Sequence, residues 1–269
     1  MVVEAGRTSA QHRNSCNRAR GWRRTCDSGL ATTFRNSRRR ISIKDVAIKP
    51  RELTMEEAAS VPLVGLTAWQ ALIEKANLQA GQKVLIHAGS GGVGTFAIQL
   101  AKHLGATVAT TTSTANADWV ERLGADVVID YKKDDFAEIL HDYDLVLDTL
   151  GGETLKRSLR VLKPGGQIIS ISGPPDPRFA KEAGLNWIVQ QVMRLLSFRI
   201  RRAAKRRKVT YSFLFTKSSG DQLRQLASII DAGTIRPVID QILPLESTKD
   251  ALTYVEQGRA KGKVVVKIG

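Results

Sequence analysis

Apolar positions along most of this chain alternate between two rhythms. The run Lys83-Val84-Leu85-Ile86-His87-Ala88 is short, apolar and bounded by Gly81, which predicts a buried strand over 83–88. Val93, Phe96, Ala97, Leu100, Ala101 and Leu104 then fall on one face of a helix over 93–104. The alternation continues with a strand at 106–112, a helix ending at Gly124 and a strand at 127–130. A short helix, a strand at 143–148, a helix at 153–162 and a strand at 167–171 follow. Strands alternating with helices of this length predict the α/β class, with a parallel, doubly wound sheet of the Rossmann kind. Upstream, Thr54-Met55-Glu56-Glu57 has capping-box spacing. Pro62 is expected to end or restart that helix, and a second one through Leu66, Trp69, Leu72 and Ile73 closes near Asn77.

Beyond Gly173 the pattern is less regular. A Pro-rich turn at 173–177 leads into a helical stretch, then a strand at 210–215. A helix at 221–232 presents Leu223, Leu226, Ala227 and Ile230 on one face and stops at Gly233. Ser247 to Asp250 reads as another capping-box start, with its helix closing at Gly258 before a strand at 264–266. Residues 1–40 show neither rhythm. Rich in Arg, Ser, Thr and Asn, they are expected to be a disordered or non-native basic segment. A transit peptide and a misassigned start are the alternatives, the second because the composition changes abruptly at Arg40/Ile41. The expected division is therefore 1–40, connecting helices at 41–79, a nucleotide-binding domain at 80–240, and a C-terminal helix and strand at 241–269.

Charge changes this picture only locally. Of the net +15, residues 1–40 contribute +8, from ten arginines against Glu4 and Asp27. Much of the remainder lies in one run at 199–208, which lacks interleaved aromatics. That run reads as a solvated helix face, so nucleic acid is not the expected partner. No stretch approaches the roughly 18 apolar residues a spanning helix needs, so no membrane partner is expected. The only cysteines, Cys16 and Cys26, support neither a disulfide framework nor a structural zinc site, which reads as a reducing, cytoplasmic setting without a metal.

The candidate chemistry centres on Gly89-Ser90-Gly91-Gly92-Val93-Gly94, in G-x-G-x-x-G register between a predicted strand and helix. Gly89 would permit the tight turn, Gly91 a close approach of a pyrophosphate, and Gly94 close helix–strand packing. The N–H groups of the first helical turn would face the phosphates. An NAD site places an acid about 20 residues further on, at the end of the second strand. Here that strand ends Ala109-Thr110-Thr111-Thr112-Ser113-Thr114 with no acid, favouring NADP(H), although threonines are also ordinary strand formers. Asp148 ends another strand, where capping and ligand contact are equally good readings. His87 and His103 read as structural, and no acid–base or nucleophilic constellation stands out, so the catalytic residues are unknown. A hydride-carrying cofactor reduces the need for one.

Together with four further matches, these motifs resemble the zinc-independent medium-chain dehydrogenase/reductase superfamily, in its quinone oxidoreductase (zeta-crystallin-like) branch. The likeness is carried by Ala58 to Trp69, His87 to Thr95, Leu123 to Asp126, Val128 to Tyr131, Asp148 to Gly152 and Gly258 to Val265. The resemblance implies NADPH as cofactor, with Thr67 near the nicotinamide, Ser90 to Val93 at the pyrophosphate, and Ser113 and Tyr131 near the 2′-phosphate. It places Ser172, Gly173, Phe213 and Phe215 at the nicotinamide end. Reduction of quinones or α,β-unsaturated carbonyls by hydride transfer is the implied activity, and a non-catalytic NADP(H)-binding or interaction protein is the alternative. A homodimer stays open. The family's N-terminal GroES-like domain has no counterpart in residues 1–40, and residues 241–269 resemble the remnant that packs on it.

Overall fold

The computed structural model describes residues 2–3, 43–258 and 260–268. The reading of residues 1–40 as a basic segment without stable structure lies outside the described residues, apart from β1 (Val2–Val3), which pairs in parallel with β2 (Ala47–Ile48). The main body is a six-stranded parallel sheet. Its strands are β3 (Lys83–Ile86), β4 (Thr107–Thr112), β5 (Val127–Asp130), β6 (Tyr143–Asp148), β7 (Leu162–Ser170) and β8 (Thr210–Phe213). Their order across the sheet is β5-β4-β3-β6-β7-β8. The chain thus winds outward from β3 in both directions, and the strand order reverses between β3 and β6. In open α/β sheets, ligands bind at such a reversal, outside the carboxyl ends of the strands.

Burial on both faces explains why the strands read as near-continuous apolar runs. Val84, Ile86, Val108, Leu145 and Leu147 point into one core, shared with Phe96, Leu100 and Leu226. Their alternates Leu85, Ala109, Val146 and Ile168 point into a second core, with Leu155, Leu159, Ile200 and Tyr211. The first core is covered by α1 (Met55–Trp69), α2 (Gly92–His103), α3 (Ala117–Arg122) and, after β8, α9 (Gly220–Asp231). The second is covered by α4 (Phe136–Ile139), α5 (Gly152–Ser158) and α8 (Phe198–Arg206), the last preceded by α6 (Pro177–Glu182) and α7 (Trp187–Leu196).

The capping box at the start of α1 forms in both directions. Glu57 N–H donates to Thr54 Oγ1 at 3.2 Å, and Thr54 N–H donates to Glu57 Oε2 at 2.8 Å. Pro62, expected to end or restart this helix, does neither. The helix runs through it and continues as a π-helical turn over Gln70–Lys75. A mid-helix proline costs about 3 kcal/mol, and packing outweighs it. Ala58, Val61, Val64 and Leu66 are all buried, and a Cβ on Gly65 would already meet Leu226, Phe96 and Val61 at 3.1–3.3 Å.

The C-terminal segment differs from expectation in two ways. The strand predicted at 264–266 is β10 (Lys263–Lys267), and it pairs in parallel with β9 (Ile239–Pro244), an unpredicted strand, in a separate two-stranded sheet. The capping box read at Ser247 does not form. A short 3₁₀ turn at Leu245–Ser247 feeds α10 (Thr248–Glu256) directly, and Ser247 makes no side-chain cap bond.

Candidate active site

The glycine turn sits where β3 meets α2, at the reversal of strand order. Its tightest residue is Ala88, whose φ of +52° places a non-glycine in the left-handed region. Gly89 is required by proximity instead: a Cβ there would lie 2.1 Å from Thr110 Oγ1. At Gly94 it would lie 2.3 Å from the Ala88 carbonyl oxygen and 2.7 Å from Gly89 Cα, so α2 rests directly on the turn. Gly91 is less crowded, with only the Ala88 oxygen at 3.3 Å. It is the N-cap of α2 and supplies no side-chain capping bond. The first N–H groups of the helix therefore lack a side-chain acceptor and carry the positive end of the helix dipole, a ready-made anion site.

The neighbouring strand ends are pinned to this turn by buried polar contacts. His87, fully buried, lies with Nε2 2.8 Å from Ser158 Oγ and Nδ1 3.1 Å from Thr111 Oγ1. Burial, reinforced by the nearby Arg157 guanidinium, pulls its pKa down to about 3, so the ring is neutral. Thr149 Oγ1 donates to the His87 carbonyl at 3.0 Å and ties the end of β6 across to β3. Asp148 is buried and accepts from the N–H groups of Leu150 and Gly151 and from Ser170 Oγ at 2.5 Å. Burial raises its pKa, against the pull of those donors. Ser170 Oγ in turn accepts from Gly173 N–H at 2.7 Å, and Ser172 Oγ donates to Thr149 O at 2.8 Å. Asp148 is thus committed to loop geometry. With Ser170 it holds Gly151, Ser172 and Gly173 together along the crevice.

Thr67 Oγ1 donates to Leu63 O and lies 2.7 Å from Thr216 Oγ1, joining α1 to the segment after β8. Phe213, the last residue of β8, and Phe215 in that segment have rings 5.2 and 6.0 Å from Phe179 of α6. A cleft of about 200 Å³ lies against these three rings, Gln70 and Lys217. Ser113 and Tyr131 stand at the ends of the adjacent strands β4 and β5, Tyr131 exposed.

Two residues in this region carry roles that sequence reasoning had not assigned. Asp130, at the end of β5, accepts from Thr114 Oγ1, so a carboxylate does stand beside the acid-free end of β4. Thr114 and the N–H of Lys132 hold its pKa below the ordinary value, and Lys133 Nζ lies 3.8 Å away. The second is Lys263. Gly262 N–H donates to Ser90 O at 2.9 Å and forms an isolated parallel bridge with Gly91. This lays the next residue across the turn, where a Cβ on Gly92 would lie 2.8 Å from Lys263 Cδ. Burial pushes the ammonium below the ordinary lysine value, and it forms no salt bridge with any described residue. The signal in the sequence was only the tail motif Gly258 to Val265, which names no partner.

Among the described residues, no three His, Cys, Asp or Glu side chains come together as a metal site. Cys16 and Cys26 lie outside the described residues. The exposed His103 and His141 stand away from the crevice, on a helix end and a turn.

Residues 123–266 match the family described as zinc-binding dehydrogenase. The chain is 36% identical over 237 residues to the mitochondrial NAD(P)H oxidoreductase RTN4IP1 of Danio rerio, covering 85% of this chain and 61% of that protein. It is 36% identical over 228 residues to a 2-methylene-furan-3-one reductase of Solanum lycopersicum, covering 83% and 50%. The structure superposes on the quinone oxidoreductase from Coxiella burnetii with a TM-score of 0.70 at 33% identity, covering 82% of this chain and 63% of that one. The chain therefore spans between half and three-fifths of the length of these curated relatives. With a glycine turn under an uncapped helix at the reversal of a parallel sheet, and with more than half of its length, residues 123–266, matched by one family, the chain is a member of the zinc-binding dehydrogenase family, within the medium-chain dehydrogenase/reductase superfamily.

Proposed function

We propose that this protein is an NADPH-dependent oxidoreductase acting on quinones or small α,β-unsaturated carbonyls. The observation that carries the reading is the uncapped N-terminus of α2 above the Gly89–Gly94 turn, open to an anion at the sheet's reversal point. When bound, the nicotinamide supplies the hydride. The chain's own residues bind and orient. Ser90, Gly92, Val93 and Gly94 offer backbone N–H groups to the pyrophosphate, Gly89 and Gly91 shape the turn with their own N–H groups bonded to Thr111 O and Ala88 O, and Lys263 sets a positive charge beside them. Ser113 and Tyr131 receive the adenosine end. Thr67, Ser172, Gly173, Phe213 and Phe215 bound the nicotinamide end, where the aromatic rings suit a flat conjugated substrate. Ser113 supports the 2′-phosphate assignment because a hydroxyl can donate where a carboxylate would repel. The charge of Asp130 is offset by Thr114, the Lys132 N–H and Lys133.

NADPH fluorescence titration, with NADH in parallel, tests binding, and NADPH oxidation with a panel of quinones and enones tests turnover. Equal or absent responses to the two nucleotides would overturn the NADP assignment. The second reading is a non-catalytic NADP(H)-binding protein. NADPH binding without acceptor-dependent oxidation would select it.

Two variants separate the contributions. Ser113→Asp is expected to weaken NADPH about tenfold or more while sparing NADH, since like charges a few ångströms apart near a surface repel by about 1–4 kcal/mol. Comparing the two dissociation constants checks this. Lys263→Met is expected to weaken both nucleotides about tenfold, roughly 1.4 kcal/mol. It should leave the unfolding midpoint unchanged or higher, because it removes a partly buried cation without a salt-bridge partner among the described residues. A lowered midpoint with unchanged affinity would show that Lys263 serves only packing.

A further inference from the structure

Helix α7 is unusual for a ten-residue element of which seven residues are apolar, because none of them is buried. Ile188, Val192 and Leu195, spaced i, i+4, i+7, form one exposed stripe with Leu196 beside it. Trp187 is 71% and Leu195 77% accessible, values ordinary for lysine and not for a helix that packs on its own domain. The buried Ser197, whose Oγ donates to Met193 O at 2.7 Å, joins α7 directly to α8. There the inward residues Ile200 and Ala204 fill the second core, while Phe198 continues the apolar stripe outward. The Arg202 guanidinium lies 5.9 Å from the centre of the Phe198 ring.

Around this stripe the charge has one sign. Residues 194–208 hold eight Arg or Lys and no acid, and no Asp or Glu occurs between Glu182 and Asp221. None of the eight forms a salt bridge with a described residue. Contiguous apolar and basic exposure places two demands on whatever covers it. A second copy of this face would set eight positive charges against eight. Residues 1–40, at +8, would do the same. A nucleic acid would meet the charges but leave the Trp187, Leu195 and Leu196 surface unmatched.

We propose that α7 and the outer face of α8 form a docking surface for an anionic lipid bilayer. Apolar side chains at the acyl boundary with arginines and lysines at the headgroups is the arrangement of an amphipathic helix lying in the interface plane. Clusters of about four to eight basic residues on such a helix recognise acidic headgroups. Helix α7 is about 15 Å long, half the thickness of a hydrocarbon core, and among the described residues no helix is long and apolar enough to cross a membrane. The surface lies on the bilayer and does not span it.

Sedimentation of the full chain with phosphatidylcholine vesicles, with and without phosphatidylserine, tests this. The expected result is binding to the anionic vesicles at least about tenfold tighter than to the neutral ones, weakened by added salt through screening. A blue shift of tryptophan emission, removed by Trp187→Phe, should accompany it. Ile188→Ser with Leu195→Ser is expected to abolish association, and Arg199→Gln, Arg202→Gln and Arg206→Gln together to abolish the anionic preference. All five positions are exposed, and far-UV circular dichroism with NADPH binding verifies that the variants stay folded. Equal binding to neutral vesicles, no binding to either, or binding unchanged in both variants would overturn the proposal. So would self-association of the wild-type chain that the apolar variant removes without any vesicle binding.

Discussion

Gly94→Ala is expected to abolish NADPH binding and to destabilise the fold by about 2–3 kcal/mol, the upper part of the range for overpacking. The added methyl would sit 2.3 Å from the Ala88 carbonyl oxygen, 2.7 Å from Gly89 Cα and 2.9 Å from Gly89 C. All three are backbone atoms, so no rotamer change can make room. Relief requires α2 to retreat from the end of β3, dragging Phe96, Ala97 and Leu100 out of the first core. The same retreat withdraws the helix N-terminus from the proposed pyrophosphate site. Gly91→Ala supplies the contrast. Its methyl would meet one atom, the Ala88 oxygen at 3.3 Å, and would otherwise project where the ligand must approach. It should leave the urea midpoint nearly unchanged while weakening NADPH about tenfold or more, the affinity change equivalent to about 1.4 kcal/mol. Wild-type affinity in Gly94→Ala would remove the structural basis for the cradle.

The second large effect is acid instability centred on His87. Unfolded, the imidazole titrates near 6.5, and folded near 3. Between those values the unfolded chain binds the proton that the folded chain refuses, so stability is intact above about pH 6.5 and falls as pH drops toward 3. The slope approaches about 1.4 kcal/mol per pH unit, and the full window amounts to on the order of 4–5 kcal/mol. That is a large share of a typical domain's stability. The physical cause is enclosure. The ring lies edge-on to Phe136 with centroids 4.7 Å apart, and the Arg157 guanidinium lies over the same Phe136, 5.2 Å from its centre. His87→Gln keeps an amide able to meet Ser158 and Thr111 but cannot titrate. It should cost about 1–3 kcal/mol at neutral pH through lost packing and flatten the fall in stability between pH 6.5 and 4. Denaturant midpoints across that range check both. An unchanged slope in the variant would assign the acid sensitivity to other groups.

The division between legible and illegible features follows the range of the forces involved. The helix expected at 93–104 occupies Gly92–His103, and the strands expected at 127–130 and 143–148 occupy Val127–Asp130 and Tyr143–Asp148. In each, local periodicity records which face is buried. The capping box at Thr54 and Glu57 was legible because both partners lie within one turn. Pro62 was misread because its penalty is local and visible, whereas the packing that overrides it comes from α2 and α9. The site shows the same pattern. The glycines announced a tight turn under a helix, but not that Gly262 would bridge to it and bring Lys263 across Gly92. Nor did the acid-free end of β4 disclose that Asp130 would bond to Thr114 from the neighbouring strand.

By itself, then, the sequence determined the alternation of strands and helices, the parallel sheet, the glycine turn and the family. All of these are set by spacing within a few residues or by a motif read in order. Tertiary structure alone decided that α1 passes through Pro62, that β9 and β10 stand apart from the main sheet, that a C-terminal lysine lies over the glycine turn, and that α7 turns its apolar stripe outward. Those outcomes depend on partners far away in the chain. A residue's polarity states that it prefers burial or water, but only the folded arrangement determines whether a surface is there to meet it.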